Sequence, residues 1–215
     1  MKPITKLYIL LIIIFSIIFD IFISNIPKII AEDNVWLSAG NLLKQKGNYT
    51  GAIAAHNKAL GIDPKDKQVW VNKGDALNLL GNYTGAIAAY NKALGIDPNY
   101  LNAWDGKGWA LNELGNYTQA ISYLNKALEI DPNYKWSLSN KGWALNELGN
   151  YTQAISYLNK ALEIDPKHID AFIFKGQSLY GLGNLTGAKY YFDKALEIDP
   201  NNELAKRIYN NLIEK

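Results

Sequence analysis

Five prolines constrain this chain more than any other feature. Pro64, Pro98, Pro132, Pro166 and Pro200 recur at a fixed interval of 34 residues, and each closes a copy of one sequence unit. The clearest copy begins at Lys107 and runs Lys-Gly-Trp-Ala-Leu-Asn-Glu-Leu-Gly-Asn-Tyr-Thr-Gln-Ala-Ile-Ser-Tyr-Leu-Asn-Lys-Ala-Leu-Glu-Ile-Asp-Pro. It returns unchanged from Lys141. A period of this kind marks a supersecondary unit that cannot bury its apolar face alone, so neighbouring units must stack into one continuous core. A chain of 215 residues would ordinarily form one or two domains, but a stacked array is quasi-one-dimensional and escapes that count.

Dividing the chain into units 33–66, 67–100, 101–134, 135–168 and 169–202 puts particular residue types at fixed places. The fourth place holds Trp36, Trp70, Trp104, Leu138 and Phe172. The eighth is always glycine: Gly40, Gly74, Gly108, Gly142 and Gly176. The twentieth is always alanine (Ala52, Ala86, Ala120, Ala154, Ala188), and so is the twenty-seventh (Ala59, Ala93, Ala127, Ala161, Ala195). The twenty-fourth takes the bulky Tyr90, Leu124, Leu158 and Phe192, with His56 as the exception. Helices that approach closely need small residues at such places, since a large side chain would hold them apart. Over residues 33–202 the pattern resembles the tetratricopeptide repeat. The resemblance implies an all-α solenoid, a right-handed superhelix of helix-turn-helix repeats.

Each unit divides into two helices. The first is expected to end at Gly47, Gly81, Gly115, Gly149 or Gly183, the residue type that accepts a left-handed conformation. The second starts after Asn-Tyr-Thr and ends at Ile-Asp-Pro, because proline cannot continue a helix and biases the preceding residue toward extended backbone. Residues 203–215 read as a capping helix, with Leu204, Ile208 and Leu212 on one stripe and polar residues on the other faces.

Ahead of the repeats, Leu7–Ile23 is almost wholly apolar and follows Lys2 and Lys6. As a helix it would reach roughly 25 Å, the short end of a bilayer span. A cleaved signal peptide would need small residues before the cut, and both Phe22-Ile23-Ser24 and Ile29-Ile30-Ala31 carry bulky ones. An uncleaved signal anchor over 1–31, linker included, fits better; secretion after cleavage is the alternative. Asp20 is the awkward residue within it. Lys2 and Lys6 on one side, against Lys28 on the other, put the N-terminus in the cytoplasm and the repeats outside.

There is no cysteine, which removes disulfides and cysteine-based metal or redox chemistry. Net charge is +2, with both signs interspersed and no basic block to track phosphates, so nucleic acid is not an expected partner. His56 and His168 stand in different repeat places, and the recurring acids recur because the unit does. No catalytic constellation, cofactor, metal or small-molecule substrate is expected.

Two features carry function beyond the scaffold. The turns contain Asn48, Asn82, Asn116, Asn150 and Asn184, each followed by a residue and then Thr. Structurally, Asn suits the turn, Tyr packs between helices and Thr caps the second helix. Each is also an N-glycosylation acceptor on an exposed turn. The other feature is the concave face of the first helices, which the resemblance maps onto the second, fifth, sixth, ninth, twelfth and thirteenth places. Asn72, Asn78, Asn102, Asn112, Asn140 and Asn146 form a ladder there that can pair with an extended peptide backbone of any sequence. Trp109 and Trp143, one unit apart, are anchor candidates, and Trp136, Asp75, Asp105, Glu113 and Glu147 stand at groove places beside them. The alternative is a solvated face whose tryptophans pack on neighbouring helices. Relatives that grip the acidic tails of heat-shock chaperones use basic residues where Leu37, Asn102 and Gly106 stand here, so that partner is not expected.

The expected function is a non-catalytic, membrane-anchored scaffold for peptide segments of other proteins. The alternatives are a cell-surface glycoprotein whose repeats space glycans, or an accessory subunit that recruits an enzyme.

Overall fold

A computed structural model describes residues 34–213. The apolar run Leu7–Ile23, and with it the anchor and linker, lies outside the described residues. Those residues form helices throughout: α1 (34–45), α2 (Tyr49–Ile62), α3 (Lys67–Leu79), α4 (Tyr83–Ile96), α5 (Leu101–Glu113), α6 (Tyr117–Ile130), α7 (Lys135–Glu147), α8 (Tyr151–Ile164), α9 (Ile169–Gly181), α10 (Leu185–Ile198) and α11 (Glu203–Ile213). Among the described residues no helix is long and apolar enough to cross a membrane.

Helix ends follow from the turn chemistry. Gly47, Gly81, Gly115, Gly149 and Gly183 all have φ between +74° and +83°. At each, the next residue's N–H reaches back to close the preceding helix, as Asn82 N to Leu77 O at 2.8 Å. Asp63, Asp97, Asp131 and Asp165, each before a proline, are extended at the ends of the even helices.

The start of the even helices corrects one expectation. Each begins at the Tyr or Leu after Asn, so Asn and not Thr is the cap, and Thr is the second helical residue. Asn48, Asn82 and Asn184 accept from the N–H of Gly51, Gly85 and Gly187, at 2.9–3.0 Å. Asn116 and Asn150 make no such bond. The cause lies three residues on, where glycine is replaced by Gln119 and Gln153. A Cβ at Gly51 or Gly85 would stand 2.8 Å from the capping amide, so a side chain at that place displaces it.

Packing bears out the small-residue places. The alanines at the twentieth and twenty-seventh places are fully buried. A Cβ on Gly74, Gly108, Gly142 or Gly176 would fall 2.5–2.7 Å from Tyr90, Leu124, Leu158 or Phe192. Glycine thus admits the bulky residue of its own unit's second helix. Between units, α3, α5, α7 and α9 pack directly on one another, while the even helices α4, α6, α8 and α10 make no comparable contacts among themselves. The odd helices therefore line the inside of the curve. At the C-terminal end α11 packs on α10, burying Ala205 against the last core cluster together with the partly buried Leu204 and Ile208.

Candidate functional site

The inner surface of the odd helices forms one continuous groove of about 990 Å³, open along its length and running from Lys44 on α1 to Arg207 on α11. Of the residues expected there, Asn102, Trp109, Trp136, Asn140 and Trp143 line it. Asn72, Asn78, Asn112 and Asn146 do not.

These four asparagines correct the ladder. Asn78 is 2% exposed and Asn112 1%. Their Nδ2 groups, with that of Asn146, donate to the backbone carbonyls of Gly106, Asn140 and Phe174, at 3.4, 2.9 and 2.7 Å. Each carbonyl is on the next odd helix, 28 residues further along the chain. The twelfth place is therefore a staple between successive units. Its amide cannot reach a peptide without abandoning a buried bond, which costs about 1–3 kcal/mol. Asn72 is likewise committed, donating to Asn41 Oδ1 at 3.1 Å and accepting from Gln68 Nε2 at 2.8 Å. The two groove asparagines are also tied to the scaffold: Asn102 accepts from Tyr134 Oη at 3.1 Å and Asn140 donates to Asp105 Oδ1 at 3.2 Å.

Aromatic and acidic side chains are what the groove does present. Trp136 is 42% exposed and meets His168 edge to face, with centroids 4.6 Å apart. Trp143 stacks on Phe174 at 5.5 Å, which holds its ring while leaving it half-buried. Trp70 and Trp104 serve differently: their indole N–H groups donate to Pro64 O and Pro98 O, at 2.9 and 2.8 Å, and fix the turns before α3 and α5. Asp75, Asp105, Glu113, Glu147 and Asp170 line the groove as well. Tyr90 donates its hydroxyl to Asp75 at 2.9 Å, Tyr83 donates to Glu113 at 3.2 Å, and Tyr117 to Glu147 at 3.5 Å. Burial pushes the Asp105 carboxyl up to about 6, against the pull of its bonds from Ser137 and Asn140.

Tyr117, Tyr134, Asp170, Phe174, Gln177 and Arg207 escaped the sequence reading. Tyr117 and Tyr134 lie outside the first-helix places and Arg207 on α11, whereas Asp170, Phe174 and Gln177 hold the second, sixth and ninth places of the fifth unit, where the residues differ from the asparagines and tryptophans of the units before it. The five turn asparagines are all exposed, at the start of the even helices and outside the groove lining.

The histidines are packing residues. His168 is buried and its Nε2 lies 3.0 Å from Ser139 Oγ. His56 is fully buried, and neither ring nitrogen has a hydrogen-bond partner among the described residues.

Family models of the tetratricopeptide repeat match residues 37–100 and, in successive overlapping stretches, 77–142, 111–172 and 145–212. No curated protein matches the sequence. Among solved structures the fold is similar to TTC0263, a thermophilic TPR protein in Thermus thermophilus. That likeness has a TM-score of 0.75 at 22% identity, over 85% of this chain and 100% of that one. A MamA structure matches with TM-score 0.61 at 26% identity, over 79% of this chain and 92% of the other. YrrB, described as a TPR protein with an unusual peptide-binding site, matches with TM-score 0.58 at 26% identity, over 81% and 90%.

Proposed function

The chain belongs to the tetratricopeptide repeat family, and from that premise we propose that it is a non-catalytic scaffold holding extended peptide segments of partner proteins in its groove. The observation that carries this reading is the continuous groove itself, walled by Trp109, Trp136 and Trp143. Large aromatic side chains in a concave, partly desolvated surface are the usual anchors of a protein interface. The likeness to YrrB, described by its peptide-binding site, supports the same direction. Because the inward asparagines staple the units together, the groove's contacts must come from rings and carboxylates rather than from an amide ladder.

A panned library of random peptides tests the proposal. Selected peptides should lose about 1–4 kcal/mol of affinity when Trp109 and Trp143 are changed to Ala with helicity intact, the range for truncated anchors. Unchanged affinity in the double variant would refute it.

The scaffold is proposed to be attached to a membrane through Leu7–Ile23, with the repeats outside. Resistance to alkaline carbonate extraction and an intact N-terminal region are the expected results, and a mature N-terminus at Asn25 or Glu32 would contradict them. A second reading, a glycan-bearing surface protein, is supported by the exposure of all five acceptor asparagines. Protein from its native host should then carry hexose-type mass at Asn48, Asn82, Asn116, Asn150 or Asn184, and unmodified native protein would reduce these residues to turn chemistry.

A further inference from the structure

The charge of the groove differs from that of the chain. The sequence carries a net charge of +2, yet among the described residues the groove lining has five carboxylates and only two cations, Lys44 and Arg207, which stand on its first and last helices. Lys44 is already committed, its Nζ lying 3.0 Å from Asp75 Oδ2. Asp105, Glu113, Glu147 and Asp170 have no ion pair among the described residues. The lysines that do pair with carboxylates elsewhere, such as Lys67 with Asp97 and Lys135 with Asp165, neutralise the turns between units and leave the groove uncompensated.

Asp105 is the central residue of this set. It receives hydrogen bonds from Ser137 Oγ at 2.7 Å and Asn140 Nδ2 at 3.2 Å, both neutral donors from the next odd helix. A carboxylate drawn away from water and met only by neutral donors gains most from a cation brought to it. The tryptophan rings that line the same groove add to this, since their faces attract ammonium and guanidinium groups.

We infer that the groove, on the reading above that it takes extended peptides, selects segments bearing Lys or Arg side chains, one of which is seated against Asp105. The observation that fixes this partner chemistry is charge complementarity along the groove. Complementary charges steer encounter and exclude wrong partners, while like charges brought together are penalised. An acidic segment would meet four unpaired carboxylates and is rejected.

The test uses the full chain in detergent micelles and a displayed library of random peptides. Peptides selected on the chain should be enriched in Lys and Arg over the unselected library. A synthesised winner should bind at least about tenfold more weakly when its Lys and Arg are changed to Gln, and weaken as salt rises. D105N should remove most of that discrimination. Should D105N not fold, the double variant E113Q/E147Q, on exposed carboxylates, should reduce it in the same direction, and E163Q, outside the groove on α8, should leave it unchanged. Selection of neutral or acidic peptides would overturn the cation preference and leave the scaffold function standing. Cationic winners whose binding ignores D105N and E113Q/E147Q would move the site out of the groove and overturn the assignment. Selection of no peptide at all would overturn the groove reading, and the preference with it.

Discussion

His56 should make the array acid-sensitive at its first repeat. It fills the place of Tyr90, Leu124, Leu158 and Phe192, and it is 0% exposed. Tyr90 has its hydroxyl satisfied by Asn78 and Asp75, each at 2.9 Å. One unit earlier those two places hold Lys44 and Asn41, and neither ring nitrogen of His56 finds a partner among the described residues. Burial first, then the ammonium groups of Lys44 and Lys73, lower the imidazole from 6.5 to about 4. The unfolded chain therefore takes up a proton below about 6.5, while the folded chain refuses it until about 4. Stability due to the neutral ring is complete above 6.5 and is lost as pH falls toward 4. At about 1.4 kcal/mol per pH unit, the loss is about 3 kcal/mol. His56→Leu removes both orphaned nitrogens, each of which costs about 1–3 kcal/mol buried without a partner. The variant should be at least as stable as the parent at about pH 7, and the gap should widen by about 3 kcal/mol down to about pH 4. Urea unfolding at a series of pH values measures the gap, and hydrogen exchange confines it to α1, α2 and α3. Carboxylate titration affects both proteins alike and cancels in the difference. Parallel stability curves for the two proteins across that range would refute the reasoning.

Three further perturbations separate the local devices of the repeat. Asn82→Ala should cost about 1 kcal/mol while Asn116→Ala costs a few tenths at most, because only the first side chain caps its helix; equal losses in thermal melts would contradict this. Gly142→Ala sets a Cβ 2.6 Å from Leu158 and should destabilise by about 1–3 kcal/mol, measured by urea unfolding; a neutral outcome would show that the pair can slide apart. Asn112→Ala removes the staple to Asn140 O and should cost about 1–2 kcal/mol, seen as faster hydrogen exchange at the junction of α5 and α7; unchanged exchange there would count against the staple.

The residues that set helix approach were legible in the sequence because they recur in register. Glycine at the eighth place and alanine at the twentieth and twenty-seventh declare a steric limit that any stack of helices must meet. The left-handed glycines were legible for the same reason. Direction was not legible at the twelfth place, which lies at the border between the inner face and the next helix. Asparagine there satisfies either surface, and only the curvature of the stack turns Asn78, Asn112 and Asn146 into the body. Asn rather than Thr stands at the cap of every even helix, and its amide folds back only where Gly51, Gly85 and Gly187 leave room, a contact that residue type alone does not give. The groove's acidity was hidden by the balanced composition, since among the described residues Lys44 is the one lysine that lines it. The orphaned state of His56 could have been found by shifting the partners of Tyr90 one repeat toward the N-terminus.

Indole N–H resonances test most directly whether the inner groove is the interaction surface. Of the chain's six tryptophans, Trp109, Trp136 and Trp143 line the groove, whereas Trp70 and Trp104 have their N–H groups bonded to Pro64 and Pro98. Titrating a selected peptide into labelled protein should shift the signals of Trp109, Trp136 and Trp143 and leave those of Trp70 and Trp104 in place. Shifts confined to Trp70 and Trp104, with the groove tryptophans unmoved, would put the partner on another face of the array.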